Sequence, residues 1–181
     1  MRDDIVHKID PSLICVSAFK NNLDGGVYKV LRQGTFYVLK FGEYCGRSAP
    51  SAIAIEAEAL NRAKTIEGIT HRVSYCQKGY YEWLLKEYFE GQKLYDFREY
   101  GKLDAKLFDG IANTVTQLHS LGIAYLDISE FNIIISDGAK SAKIIDLDSA
   151  CFADVILPEY FEKYKRRDIA NLELIANCYF Q

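Results

Sequence analysis

The stretch at residues 119–150 constrains this chain most strongly, because it holds Asp127, Asn132 and Asp146 among short apolar runs. The pattern predicts the end of an amphipathic helix, a turn, a loop that carries Asp127, and then two isoleucine-rich strands joined by a hairpin. The second of these strands delivers Asp146. Since polar side chains at strand ends can face one cleft, we expect the three residues to act together.

The first half of the chain has β character. Short runs of β-branched and aromatic residues, broken by Asn, Asp and Gly pairs, predict an antiparallel meander of three strands. The Ala-, Glu- and Leu-rich segment from Ser51 to about Ile66 predicts one helix. Two further β-type runs meet at Lys78-Gly79 and bring the prediction to five strands and one helix.

The second half of the chain shows helical spacing. A short helix is predicted from Leu94 to Tyr100, and a longer one extends from Asp104, a suitable N-cap, to Leu121. A last helix is predicted between Pro158 and the end of the chain. Helices therefore dominate this half.

The change from a β-rich to an α-rich pattern predicts an α+β fold with two lobes and a cleft between them. We expect a single domain over residues 1–181, with an N-terminal lobe at about 1–88, a hinge at about 88–91 and a reduced helical C-terminal lobe at about 92–181.

Composition argues against several classes of protein. The formal net charge of −3 gives no large basic field, so direct binding of nucleic acid has no compositional support. No apolar run approaches the ~20 residues of a membrane span, and acidic residues near the N-terminus interrupt the apolar core that a signal peptide needs. We therefore expect a soluble, cytoplasmic protein. This expectation does not exclude export by a route that needs no signal peptide.

The cysteines argue against a zinc knuckle and against a disulfide framework. Their number is odd and no C-x-x-C pair occurs among positions 15, 45, 76, 151 and 178. We expect buried thiols in a reducing compartment.

The spacing of Asp127, Asn132 and Asp146 resembles that of the protein-kinase-like superfamily, whose members carry H-R-D-x-x-x-x-N and D-F-G motifs. Here the loop reads Tyr-Leu-Asp-Ile-Ser-Glu-Phe-Asn, and the later triplet reads Asp-Leu-Asp. The resemblance implies ATP and Mg²⁺ as cofactors. It also implies that Asp127 is the catalytic base or hydroxyl-orienting residue and that Asn132 and Asp146 are magnesium ligands.

Lys40 ends the third predicted strand and resembles the V-A-I-K lysine, which contacts nucleotide phosphates in that family. A lone lysine at a strand end is more often simply solvated, so the interpretation depends on its context. The resemblance implies an acidic partner on the next helix, where Glu56 and Glu58 compete. Because the two are two residues apart on a helix, they point in different directions, and only one can reach Lys40. Glu56 lies at the position that suits the resemblance, and we favour it.

Gly25, Gly26 and Val27 resemble the end of the glycine-rich loop, which covers the nucleotide, with Val27 packing on adenine. The first two glycine positions of that motif fall on Lys20 and Asn22, so the motif is incomplete. Two adjacent glycines also fit a plain hairpin turn.

Glu87 and Phe89 resemble the hinge, whose backbone would bind the adenine edge. Lys86 occupies the position before the hinge that usually holds an apolar residue. The sequence offers no account of this lysine unless the strand is offset by one residue and Leu85 faces inward.

Asp168 resembles the aspartate that holds the backbone of the catalytic loop in kinases. It follows Asp146 by only 22 positions, which shortens the activation segment and leaves no A-P-E motif. Leu126 replaces the arginine that would read a phosphorylated activation loop. These traits resemble the minimal atypical kinases: the RIO group, the lipopolysaccharide sugar kinases, the small kinase of the KEOPS complex and compact bacterial effector kinases.

The resemblance implies a phosphotransferase that moves the γ-phosphate of ATP to a hydroxyl acceptor. An atypical Ser/Thr protein kinase is the favoured form. A sugar or small-molecule kinase is one alternative, and the missing peptide-docking segment favours it. A pseudokinase or nucleotide-binding interaction module is the other, motivated by the incomplete glycine motif and Leu126.

Overall fold

The computed structural model describes residues 2–22, 25–44, 49–99 and 103–180. The chain divides into two compact units. Unit 1 comprises Met1–Ala57 and His71–Tyr88, and unit 2 comprises Glu58–Thr70 and Phe89–Gln181.

Unit 1 is built on a five-stranded antiparallel sheet with strand order β1-β2-β3-β5-β4. Its elements, in chain order, are α1 (Arg2–Ile9), β1 (Ile14–Asn22), β2 (Gly25–Arg32), β3 (Thr35–Glu43), α2 (Ala52–Arg62), β4 (Arg72–Lys78) and β5 (Tyr81–Glu87). Helix α2 runs past the boundary of the unit, which falls after Ala57. The predicted five strands and the helix that follows the third strand are confirmed.

Helix α1 was not predicted from the sequence, and it covers one face of the sheet. Val6 and Leu13 pack there against Tyr28, Val30 and a group on the neighbouring strands that includes Leu39 and Leu85. These strand residues alternate along the chain, so their side chains share one face. This face provides the apolar core of unit 1.

The opposite face of the sheet carries charged side chains. Val27 lies opposite Lys40 in the β2–β3 register, and Val38 lies opposite Lys86 in the β3–β5 register. Cross-strand partners point to the same side of a sheet, and so do residues two apart on one strand. Lys40 and Lys86 therefore share the face that lies away from α1.

Unit 2 is mainly helical. Its elements, in chain order, are β6 (Gln92–Lys93), a 3₁₀ helix (Leu94–Glu99), α3 (Ala105–Ser120), β7 (Ile123–Ala124), β8 (Ile133–Ile135), a 3₁₀ turn (Asp137–Ala139), β9 (Ala142–Ile144), β10 (Cys151–Phe152) and α4 (Pro158–Tyr179). The three predicted helices are confirmed, although the first is a 3₁₀ helix and Tyr100 lies outside the described residues.

The long helix α3 begins where the sequence predicts. Asp104 has an extended backbone conformation and its Oδ1 accepts a hydrogen bond of 2.8 Å from the backbone N–H of Lys106, as an N-cap does. Leu107, Ile111, Val115 and Leu118 recur at helical spacing along α3 and are buried. Strands β8 and β9 form the predicted antiparallel hairpin, and β6 pairs with the other edge of β8.

Four of the cysteines lie within the described residues, and none of the four is in a disulfide bond. Cys15, Cys76 and Cys151 are half-buried and Cys178 is exposed, so the expectation of buried thiols is wrong for these four. Cys45 lies outside the described residues. No helix in the described part of the chain is long and apolar enough to cross a membrane.

Replacement of Val6 by Ala tests whether α1 is part of the core of unit 1. Val6 is fully buried, so Val6→Ala removes two buried carbons and leaves a small cavity. We expect the free energy of unfolding in urea to fall by about 2 kcal/mol. The exposed neighbour His7 is the control, because His7→Ala should change the free energy of unfolding by less than ~0.5 kcal/mol. Equal effects of the two substitutions would show that α1 does not cover the sheet.

Candidate active site

In unit 2, one buried carboxylate holds the loop that carries Asp127. The side chain of Asp168 accepts hydrogen bonds from the backbone N–H groups of Tyr125 and Leu126, each at 2.9 Å. His119 Nε2 lies 2.9 Å from the oxygen that also binds Tyr125. Asp168 is 1% exposed. Hydrogen bonds to an ionised group are worth about 1.5–3 kcal/mol each, so this carboxylate is a strong anchor for the loop.

The backbone of the anchored loop is strained. Tyr125 and Asp127 have φ angles of +61° and +48°, in the left-handed region that side chains other than glycine adopt at a cost of about 1 kcal/mol or more. The hydrogen bonds to Asp168 offset that cost. Between the two strained residues, Leu126 is fully buried, whereas Asp127 is exposed. The strained backbone thus places Leu126 in the core and Asp127 at the surface.

The ring of Tyr125 is held from the side of helix α4. Its centroid lies 4.6 Å from that of Tyr164 and 4.7 Å from the guanidinium carbon of Arg167. Arg167 also donates a hydrogen bond of 3.0 Å to the Tyr125 hydroxyl. Helix α4 therefore fixes the start of the loop through side chains as well as through Asp168.

Negative charge at Asp168 also affects a neighbouring thiol. The pKa of Cys151 is raised above its ordinary value, first by burial and then by the charge of Asp168. The thiol form of Cys151 is therefore favoured.

Asn132 orients the carboxylate of Asp127. Its Nδ2 donates hydrogen bonds of 3.1 Å to Asp127 Oδ2 and to the backbone oxygen of Asp127. Because the amide nitrogen faces Asp127, the amide oxygen of Asn132 points elsewhere. The Asp127 carboxylate is thus held through one oxygen, and the amide oxygen of Asn132 takes no part in these two hydrogen bonds.

Asp146 is brought close to Asn132 by the β8–β9 hairpin. Ile133 pairs with Ile144, and the N–H of Ile145 donates to the backbone oxygen of Asn132 at 3.0 Å. Asp146 follows directly and is half-buried. Its Oδ1 accepts a hydrogen bond of 3.3 Å from the backbone N–H of Asp148. The hairpin that the sequence predicts therefore brings Asp146 next to Asn132.

The oxygen donors of this region fit a magnesium ion. Mg²⁺ takes oxygen ligands and is usually bound by one or two carboxylates together with substrate phosphates and water. Asn132 and Asp146 supply an amide and a carboxylate oxygen on neighbouring backbone segments. No group of three or more His, Cys, Asp or Glu side chains that could hold a metal ion occurs in the described ranges.

In unit 1, Lys40 pairs with Glu56. The Nζ of Lys40 lies 2.6 Å from Glu56 Oε2, and Glu56 is 0% exposed. Glu58, the competing candidate, instead pairs with Arg62 one turn further along α2, at 2.7 Å. Of the two glutamates, Glu56 is the one that contacts Lys40.

Lys86 makes a contact that the sequence did not predict. Its Nζ binds the other oxygen of Glu56, Oε1, and Lys86 is only 3% exposed. Leu85 packs in the core beneath α1, so the alternative in which the strand is offset by one residue is wrong. The β3–β5 register and the alternation of side chains place Lys86 on the same face as Lys40.

Gly25 and Gly26 lie inside strand β2, immediately after a short connection to β1. The β1–β2 register continues to the pair Asn22–Gly25, as in a hairpin, and residues 23–24 lie outside the described residues. A Cβ at Gly25 would lie 2.5 Å from the carbonyl oxygen of Phe41, and one at Gly26 would lie 2.5 Å from the ring of Tyr28. Close packing within the sheet therefore requires both glycines.

The candidate hinge residues lie on either side of the division between the units. Glu87 ends β5, and its backbone N–H donates to the carbonyl of His71 at 2.9 Å. Its side chain accepts a hydrogen bond from the His71 N–H at 3.1 Å. Phe89 begins the second segment of unit 2, where the Nζ of Lys143 lies 5.6 Å from its ring centroid.

The chain was compared with models of protein families and with curated proteins. A family model described as "Protein kinase domain" matches residues 24–156, which is well over half of the chain. The matched range contains Lys40, Glu56, Asp127, Asn132 and Asp146, and it ends before Asp168. No curated protein that was compared with the chain matches it.

Asp168→Asn tests whether this carboxylate holds the loop. The substitution removes the charge and turns one acceptor oxygen into a donor that faces a backbone N–H. We expect the free energy of unfolding to fall by about 2–4 kcal/mol. Amide hydrogen exchange at Tyr125 and Leu126 should become faster, as measured by NMR.

Asp154→Asn is the matched control. Asp154 is also an ion-paired aspartate of unit 2, but it is exposed and contacts Arg62 instead of the loop. Asp154→Asn should leave amide hydrogen exchange at Tyr125 and Leu126 unchanged. Unchanged exchange at those two amides in Asp168→Asn would refute the anchoring role.

Proposed function

Because the chain belongs to the protein kinase domain family, we propose that it is an ATP- and magnesium-dependent phosphotransferase that moves the γ-phosphate to a hydroxyl acceptor. The observation that carries the proposal is the orientation of Asp127 by Asn132, on a loop whose backbone is fixed by Asp168. An exposed carboxylate in a strained and strongly anchored loop is costly to maintain as a mere surface residue. It is well suited to positioning a nucleophile.

In the proposed reaction, Asp127 aligns the acceptor hydroxyl and accepts its proton. Asn132 donates to Oδ2 of Asp127, so the other oxygen of the carboxylate is directed toward the acceptor. The attacking oxygen forms a bond to the γ-phosphorus as the bond to the leaving ADP oxygen breaks. Asp127 contributes by positioning and by proton transfer.

Asn132 and Asp146 would hold magnesium through their side-chain oxygens, and the ion, when bound, neutralises charge on the phosphate oxygens. Asp148 is close enough to influence this region, because its backbone N–H binds Asp146. That hydrogen bond keeps Asp146 in one orientation. The proposed ligands are therefore already positioned by contacts of the protein itself.

Unit 1 would supply the groups that bind the nucleotide. Lys40 would contact the phosphates, with Glu56 fixing its position. The backbones of Glu87 and Phe89 would bind the adenine edge. In addition, Gly25, Gly26 and Val27 would cover the nucleotide, with Val27 on the same face of the sheet as Lys40.

For the acceptor, we propose a Ser or Thr hydroxyl of a protein, which would make the chain a minimal atypical protein kinase. One observation favours a second candidate, a sugar or other small-molecule hydroxyl. Between Asp146 and Asp168 the chain is described throughout, and it forms β10 and then enters α4 at Pro158. This stretch leaves little chain for an activation segment or a peptide-docking platform.

Asp127→Ala tests the proposed chemistry. We expect transfer of label from γ-labelled ATP to fall by a factor of about 10²–10⁴, because the proton acceptor is lost. Binding of the nucleotide should persist, measured as thermal stabilisation by ATP that requires Mg²⁺. Asp137→Ala, which removes an exposed carboxylate from the β8–β9 connection, is the control and should leave turnover unchanged. Full activity in Asp127→Ala would refute the role of Asp127.

Separation of the labelled products distinguishes the two acceptors. Cell extract is incubated with the protein and γ-labelled ATP, and protein-bound label is then separated from label in small molecules. Protein-bound label that depends on Asp127 supports the protein kinase, and small-molecule label supports the second candidate. Magnesium-dependent ATP binding without transfer to any acceptor, including the chain itself, would identify a pseudokinase.

A further inference from the structure

Glu56 is shared by two lysines, and each lysine occupies a different oxygen of its carboxylate. Lys40 Nζ lies 2.6 Å from Oε2 in an ion pair without hydrogen-bond geometry, and Lys86 Nζ donates a hydrogen bond to Oε1. All three side chains are buried, with exposed fractions of 9% for Lys40, 3% for Lys86 and 0% for Glu56. Nothing in the proposed function requires the second lysine, so its burial calls for an explanation.

The sheet register explains how both lysines reach one carboxylate. Lys40 is on β3 and Lys86 is on the adjacent strand β5, and both point to the face away from α1. Lys86 pairs with Val38, which is two residues from Lys40 on the same face. Glu56 approaches this face from helix α2, whose residues up to Ala57 belong to the same unit. The arrangement is therefore built from regular secondary structure.

A buried carboxylate with a single partner would be vulnerable when that partner changes its contacts. Removing one member of a buried ion pair costs about 3–5 kcal/mol, because the remaining charge is left without compensation. If Lys40 were the only partner, any movement of its ammonium toward an anionic ligand would expose Glu56 to that cost. The contact with Lys86 keeps Glu56 paired even when Lys40 moves away from it.

We propose that Lys86 is a positioning residue that locks Glu56, and with it the start of α2, against the sheet independently of Lys40. Lys40 can then engage phosphate while Glu56 stays charged and in place. This inference rests on the proposed function for the role of Lys40, whereas the sharing of Glu56 can be tested without any nucleotide.

A thermodynamic cycle tests the sharing directly. The Tm is measured for wild type, Lys40→Met, Lys86→Met and the double variant, each with and without Glu56→Gln. Either single lysine variant leaves Glu56 with one partner, so each should lower Tm by only a few degrees. The double variant leaves a buried carboxylate without either lysine, and its Tm should fall by about 10 °C beyond the sum of the single effects.

Addition of Glu56→Gln to the double variant should recover most of that excess loss, since a neutral amide is far less costly to bury than a charge. If the double variant does not fold, recovery of a folded protein in the triple variant supports the proposal. Additive effects of the two lysine variants, or a triple variant that is no more stable than the double, would overturn it.

Lys29→Met is the matched control, because Lys29 lies on the same face of the sheet but contacts aromatic rings. Its Nζ lies 4.1 Å from the ring centroid of Phe36 and 3.9 Å from that of Tyr88. The effect of Lys29→Met on Tm should be the same with and without Glu56→Gln. If Glu56→Gln changes the Tm effect of Lys29→Met as much as it changes that of Lys86→Met, the cycle reports only the total charge on this face of the sheet.

Kinetics distinguish a positioning role from a merely structural one. Well below its Tm, Lys86→Met should lower kcat about 10–100-fold, because a misplaced Lys40 aligns the phosphates poorly, and KM for ATP should change much less. Lys86→Arg should restore part of kcat. An unchanged kcat in Lys86→Met overturns the positioning role. If wild type transfers no phosphate at all, the proposed function has failed, and the cycle of Tm values still decides whether Lys86 holds Glu56.

Discussion

The candidate catalytic loop depends on one buried carboxylate. Asp168 accepts two backbone hydrogen bonds from consecutive residues and contacts His119, and these contacts join α3, the loop and α4. Two charge-assisted hydrogen bonds at about 1.5–3 kcal/mol each outweigh left-handed strain of about 1 kcal/mol or more at each of two residues. Without them, the strained conformation that exposes Asp127 and buries Leu126 would relax. The position of the reactive group is thus set from helix α4, outside the loop itself.

Unit 1 uses a comparable device, because a second buried carboxylate, that of Glu56, contacts two lysines there. Burying charges costs free energy that the ion pairs only partly recover, so the stability of the unit must come from elsewhere. It comes from the other face of the sheet, where α1 covers an apolar core. The face that α1 covers therefore supplies stability, and the opposite face of the sheet carries the charged side chains. This division requires strict alternation along β2, β3 and β5, which the observed register provides.

Much of this arrangement can be predicted from the sequence, because its causes are local. Short runs of β-branched and aromatic residues predict the five strands, and Asp104 marks the start of α3. Helical geometry allows only one of Glu56 and Glu58 to reach Lys40, and the resemblance to kinases favours Glu56. Residues that are distant in the chain are harder to predict. Strands β7 and β10 have only two residues each and exist through pairing with one another, which no local pattern indicates.

Two features escaped prediction for identifiable reasons. Helix α1 has eight residues and few apolar side chains, so its pattern is too short to separate from a polar N-terminal segment. Lysine is usually found at solvent-facing positions, yet Lys86 lies at a buried position of its strand. The contact with Glu56 makes that burial tolerable, and this contact depends on how α2 lies on the sheet.

The most direct test of phosphotransfer removes the proposed metal ligand at the end of the hairpin. Wild type and Asp146→Asn are each incubated with γ-labelled ATP, Mg²⁺ and cell extract as the source of acceptors, and the labelled species are compared. We expect at least one labelled species with wild type that is absent with Asp146→Asn. The same labelled species with both proteins, or none with either, would contradict the assignment of this chain as an active kinase.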